Sequence, residues 1–232
     1  MTERGMIFNG EMVGAILSGR KTMTRRIMKV QPESSGFGLR YIAESSLAKE
    51  VGMYFWSQSD ACGMKARSKP FACPYGKPGD RIWVRETFQG PLFDFDVMDS
   101  YCKDSTPFEK PEFCVYKADG VPAPEFYDAD DELHCRWRPS IHMPRWASRI
   151  TLEITDVRVE RLNSISEEDA RAEGMELTGW RPTYSDPDSG GEVMTPYDNF
   201  AELWSSIYGD ESWKANGWVW VISFKRVEGG AA

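Results

Sequence analysis

Two hydrophobic periods alternate along the chain. Met12, Val13, Ile16 and Leu17 recur at helical spacing. Asn9 precedes them, where its side chain can accept a first-turn N–H, and Glu11 places an acid in that turn. Gly19 sits where the helix should end in a left-handed residue. Period two begins at once: Thr22, Thr24 and Arg26 alternate with Met23 and Arg25, predicting a strand with Thr22, Thr24 and Arg26 on one side. Lys21 stands at the corner, with a stem long enough to reach over that same side. A tight turn at Pro78-Gly79-Asp80 leads into a second strand around Ile82 and Val84, with Arg85 and Glu86 at its end. Those two are either site residues or a cross-strand charge pair.

The cleanest alternation runs from Ile150 to Leu162. Ser166, followed by Glu167, Glu168 and Asp169, then opens a helix that runs to Glu173 and stops at Gly174. Thr195-Pro196 opens another, with Phe200, Leu203, Trp204 and Ile207 facing inward and Gly209 ending it. Trp218 to Phe224 reads as a closing buried strand.

Three stretches lack sustained period: roughly 30–72, 89–136 and 178–194. Met53-Tyr54-Phe55-Trp56 and Phe113-Cys114-Val115-Tyr116-Lys117 are short strands inside the first two. The first stretch is either a lid over the basic strand or crossing scaffold. The acidic run from Asp128 to Glu132 is a solvated loop. Pro139 and Pro144 forbid a regular element between Trp137 and Arg149. That loop holds Trp137, Arg138, His142 and Arg145 either for recognition, by stacking bases and gripping phosphates, or as a plug with Trp146 in the core. Residues 1–228 read as one α+β domain with a loose tail at 229–232.

Composition narrows the function classes. The formal charge is −8 and the pI about 5.0, so the global basic footprint of a protein that grips long nucleic acid is absent. Basic residues cluster instead at Arg20, Lys21, Arg25, Arg26 and Lys29, and again at Arg136, Arg138, Arg145 and Arg149, which favours a small or local substrate. Nine tryptophans exceed what a core of this size needs, so some are expected to line a groove. No apolar run approaches the length of a membrane span, and the N-terminus leads straight into a capped helix rather than a signal peptide, so a cytoplasmic location and no membrane partner are expected. The five cysteines are odd in number and lack a CxxC pair, so reduced thiols are expected. Cys62, Cys73 and Cys135 with His134 or His142 match no ligand spacing, and no metal site is expected.

A helix followed by Gly19-Arg20-Lys21-Thr22-Met23-Thr24-Arg25-Arg26 resembles the opening motif of the activating-signal-cointegrator homology (ASCH) domain, in the PUA-like group. Three further anchors follow in the same order: Lys77 through Val84, Glu168 through Met175, and Val219 through Phe224. The Trp137-to-Arg149 loop resembles a distinctive stretch of larger phage-encoded members. The resemblance implies a small mixed β-barrel with flanking helices and long loop insertions. It also implies an amidohydrolase acting on N(4)-acetylcytidine or related nucleosides, with Lys21, Thr24 and Glu173 as the catalytic trio and no cofactor.

Around that trio, Thr22, Arg26, Arg85, Glu86, Trp137, Arg138, His142 and Arg145 are candidates to hold substrate. Two mechanisms fit amide hydrolysis. In one, Thr24 attacks and a desolvated Lys21 takes its proton; in the other, Glu173 activates water while Lys21 and Thr24 cradle the oxyanion. Since other members of the group are thought to bind RNA, a non-catalytic reader of RNA or a modified base is the alternative, and a ribonuclease the third reading.

Overall fold

A computed structural model of the chain describes residues 1–59, 65–127, 132–176, 178–181 and 192–227. Along the chain run β1 (Glu3–Ile7), α1 (Gly10–Leu17), β2 (Met23–Ile27), β3 (Gly38–Tyr41), β4 (Tyr54–Ser59), β5 (Lys65–Arg67), β6 (Arg81–Arg85) and β7 (Phe88–Gln89). Then come α2 (Met98–Lys103), β8 (Val115–Tyr116), β9 (Glu125–Tyr127), β10 (Leu133–Cys135), β11 (Thr151–Arg161) and α3 (Glu167–Ala172). The chain ends with β12 (Thr178–Arg181), β13 (Glu192–Met194), α4 (Pro196–Tyr208), α5 (Asp210–Lys214) and β14 (Trp218–Arg226). The fold is mixed α+β.

The principal sheet has the order β1-β6-β11-β14-β2. β1 and β6 run parallel, Met6 beside Val84, and the other neighbours are antiparallel. The period-two and apolar segments supply four of the five strands. The N-terminus does not lead straight into the helix but first forms β1, which has only Met6 buried and so shows no apolar alternation. On β14, Trp220, Ile222 and Phe224 enter a core with Met6, Phe8, Val13, Ile82, Leu152 and Ile154. Val219 and Val221 enter a second core with Met23, Ala170, Phe200 and Trp204. Burial on both faces explains why this strand reads as an unbroken apolar run.

The expected closed barrel does not form. β1 and β2 are both edges, and instead of a ladder between them Arg26 Nη2 donates to the Ile7 carbonyl at 2.8 Å. The Arg26 guanidinium also lies 5.3 Å from the centre of the Phe8 ring. The sheet curls enough for one side chain to bridge its edges.

The first insertion is scaffold rather than lid. β3, β4 and β5 form a three-stranded sheet whose Trp56 is 1% exposed, and Phe37, Leu39, Tyr54 and Phe71 pack on the first core. Only the Met53-to-Trp56 part was legible from pattern, because β3 is mostly exposed and carries no apolar alternation. In the second insertion β7 pairs with β8, and Phe93, Tyr101, Phe108 and Phe113 form a satellite aromatic cluster. The ends of the third insertion pair as β12 and β13. Residues 182–191, Cys62, residues 128–131 and the tail from 228 lie outside the described residues.

In α4, Phe200 and Trp204 are buried and Leu203 packs on the first core, but Ile207 is 45% exposed rather than inward. Tyr208, also exposed, packs against Trp204, the ring centres 4.5 Å apart. Among the described residues no helix is long and apolar enough to cross a membrane.

Candidate active site

The site is built where α1, β2 and the end of α3 meet. Asn9 Oδ1 accepts the Met12 N–H at 2.8 Å and fixes the start of α1. Gly19, at φ +77°, ends it and turns the chain. The corner is then tied to both helices: Lys21 N–H donates to the Ala15 carbonyl at 3.0 Å and Thr22 N–H to that of Ala172 at 2.8 Å. Ser166 Oγ accepts the Asp169 N–H at 3.1 Å and starts α3. Gly174 closes it at φ +95°, where a Cβ would stand 2.9 Å from that of Ala15 and 3.2 Å from that of Lys21. Only glycine permits this approach. The approach is what brings Glu173 against Lys21.

Lys21 Nζ donates to Glu173 Oε2 at 2.6 Å and to the Glu173 carbonyl at 2.9 Å. Both side chains are buried. Burial works against the Lys21 cation and Glu173 works for it; burial is the larger, so Lys21 titrates below the ordinary lysine range. Glu173 Oε1 is buried with no hydrogen bond; Arg25 Nη1 stands 3.6 Å from it. Arg25 also reaches Asp169 Oδ2 at 2.6 Å and Glu160 Oε2 at 3.1 Å. Arg158 closes the network, 2.7 Å from Asp169 and 2.6 Å from Glu160.

Glu173 lines a cleft of about 1080 Å³ together with Gly10, Glu11, Arg20, Gly174 and Glu176. Glu86 and Lys117 line it as well. Glu86 is fully buried and held bidentately by Arg149 at 3.0 and 3.0 Å. Arg149 continues to both oxygens of Asp119, at 2.8 and 2.7 Å, and lies 3.9 Å from the centre of the Tyr116 ring. Burial pushes the Glu86 carboxyl above its usual range, while Arg149 holds it back.

Of the expected trio, the structure brings Lys21 and Glu173 into contact. Thr24 is buried on β2, but no hydrogen bond among the described residues joins it to either. Its register partner is Ile222 and that of Arg26 is Trp220, both in the first core, whereas Arg25 pairs with Val221 of the second. Lys21 is therefore grouped with Arg25 rather than with Thr22, Thr24 and Arg26, and Thr22 is exposed.

Glu86 faces the cleft, while Arg85 does not pair with it but donates from Nε to the Ser140 carbonyl at 3.2 Å and from Nη2 to that of Ile141. Trp137, Arg138, His142 and Arg145 do not line the cleft. Arg138 donates to the Gly90 carbonyl at 3.1 Å, and Arg145 grips Glu3 at 2.8 and 3.1 Å. His142 is exposed. The loop acts as a plug: Met143 and Ala147 are buried beside Phe88 and Tyr116, with Trp146 packed on them.

Sequence reasoning missed Arg25 and Asp169. Spacing held the signal. Lys21 and Arg25 are four apart around a strand of period two, and Asp169 and Glu173 are four apart on one helix, so two cations meet two acids. Among the described residues no group of three or more His, Cys, Asp and Glu is arranged to hold a metal ion. The cysteines Cys73, Cys102, Cys114 and Cys135 are free thiols, and burial pushes those of Cys73 and Cys114 up to about 11.

Comparison of the chain with models of protein families, with curated proteins and with solved structures gives no match.

Proposed function

We propose that this chain is an amidohydrolase of the ASCH type that removes the acyl group from N(4)-acetylcytidine or a related N(4)-acylated cytosine nucleoside. The observation that carries the reading is the buried Lys21–Glu173 pair, 2.6 Å apart, with one Glu173 oxygen bonded to lysine, the other buried without a hydrogen bond, and Glu173 itself among the residues that line a cleft. A buried carboxylate with an open lone pair is equipped to accept a proton from water, and an ammonium beside it to receive an oxyanion.

Of the two mechanisms, the one with water as nucleophile is favoured. Direct attack by Thr24 asks Lys21 to take the threonine proton, and no hydrogen bond links them. Water adds to the amide carbonyl as Glu173 takes its proton. Lys21 stabilises the tetrahedral oxyanion. When the C–N bond breaks, Glu173 returns the proton to the departing 4-amino nitrogen, leaving cytidine and a carboxylate. The internal engagement of Arg85, Arg138 and Arg145 gives the RNA-reader alternative no comparable support.

The test is incubation of the purified chain with N(4)-acetylcytidine, beside Lys21→Ala, with cytidine followed by chromatography. Release by the wild type and not by the variant supports the reading. A folded wild type that releases no cytidine overturns it.

A further inference from the structure

We propose that Arg25 is a positioning residue for the Lys21–Glu173 pair, holding the Glu173 carboxylate in place through its unbonded oxygen; this rests on the amidohydrolase reading. The guanidinium is fully buried, and three carboxylates converge on it: Asp169 at 2.6 Å, Glu160 at 3.1 Å and Glu173 at 3.6 Å. Met23 Sδ stands 3.4 Å from Nη1, and the Phe200 ring centre is 5.9 Å from the guanidinium carbon. Two acids and an aromatic ring therefore fix the plane of the fork before Glu173 is considered.

Those acids are themselves held. Arg158 binds both Glu160 and Asp169, so Arg25 has a braced partner on each side. Its contact with Glu173 Oε1, at 3.6 Å, is an ion pair without a hydrogen bond. It directs the carboxylate by charge and leaves the oxygen without a hydrogen bond. Arg149, by contrast, engages both oxygens of Glu86. Arg25 does not line the cleft, so any effect on turnover passes through Glu173 and Lys21. Lysine carries the charge but not the planar fork that spans two carboxylates.

The test compares Arg25→Gln, Arg25→Lys and Asp169→Asn in the full chain, each checked for folding by its melting transition. Arg25→Gln should lower kcat per folded molecule about a hundred-fold, the scale of a 1 Å misplacement, with KM unchanged. Arg25→Lys should recover part of the loss. Asp169→Asn, which leaves Arg25 in place with a weaker brace, should cause a smaller loss of the same kind. If Arg25→Gln does not fold, the other two variants decide.

A second readout does not need turnover: the titration of Lys21, followed by nitrogen NMR in lysine-labelled protein. The groups that face Lys21 are Glu173 from the end of α3 and Arg25 and Arg26 from β2. The charge of Arg25 holds Lys21 down, so the titration should move to higher pH in Arg25→Gln and stay near the wild type in Arg25→Lys. Unchanged kcat with unchanged Lys21 titration overturns the role of Arg25 while the amidohydrolase stands. A raised KM at constant kcat also overturns it, since that marks contact with substrate. A wild type without turnover overturns the amidohydrolase, and the Lys21 titration alone then decides whether Arg25 organises the pair.

Discussion

Two buried carboxylates line the cleft, and they are built differently. Glu86 gives both oxygens to one guanidinium, which gives its remaining donors to Asp119 and its face to Tyr116. Every strong bond in that cluster is made. Glu173 gives one oxygen to Lys21 and keeps the other without a hydrogen bond, near a cation that two further acids hold in place. A saturated bidentate pair resists change, because any movement exposes an unpaired buried charge. An unsaturated carboxylate beside an ammonium still has an interaction to offer. On the proposed function the difference separates a clamp from a reactive group, although burial alone makes the two look alike.

That contrast can be broken by exchanging what each side loses. Glu173→Gln keeps the shape but removes the base. It should reduce cytidine release about a hundred- to ten-thousand-fold, read as kcat on protein shown to be folded. If Glu173→Gln keeps wild-type turnover, the assignment of the two sides is wrong. Arg149→Ala should act on the other axis. It leaves Glu86 buried and unpaired and should cost about 3–5 kcal/mol in urea unfolding, with turnover per folded molecule held within about twofold. A stable Arg149→Ala protein with a large rate loss would move the chemistry to the Glu86 side.

The smallest effect is expected at a third pair, Arg145 with Glu3, which is far more exposed than the other two. Arg145→Ala should cost about 0.5 kcal/mol or less at neutral pH. The bond from Arg145 holds the Glu3 carboxyl below its usual value, so its contribution is present above the ordinary glutamate range and is lost as pH falls through the depressed value. Melting curves of wild type and variant should therefore converge in acid. Curves that stay apart there would show that Arg145 stabilises through packing on Trp83 instead, whose ring centre lies 6.0 Å away.

Local features were legible because their causes are local. The caps at Asn9, Ser166 and Thr195 follow from side chains that reach a nearby backbone N–H, and each forms as expected. Gly19, Gly79 and Gly209 all take positive φ where a turn or helix end was read. Four strands of the principal sheet announced themselves by period or by an apolar run; β1 did not, because of its five residues only Met6 is buried. The three-stranded sheet of the first insertion did not, because it packs through scattered aromatic residues while much of it faces solvent.

The candidate site was legible only in part. Lys21 and Glu173 came from a family resemblance, and the Trp137-to-Arg149 loop left recognition and plugging equally open. Its arginines turned out to bond carbonyls and carboxylates of segments far away in the chain. A guanidinium reads the same in sequence whether it awaits a ligand or is already satisfied.

By itself, then, the sequence determined the capped helices, most strands of the principal sheet and the cationic corner at Lys21, since these depend on neighbours within about one turn or one strand. Only the tertiary structure decided that Lys21 meets Glu173 across 152 residues, that Arg25 rather than Thr24 shares that contact, and that Glu86 is saturated by Arg149. Strand order, the parity of β2 and the close approach permitted at Gly174 set those pairings. None of them is a property of any short stretch of chain.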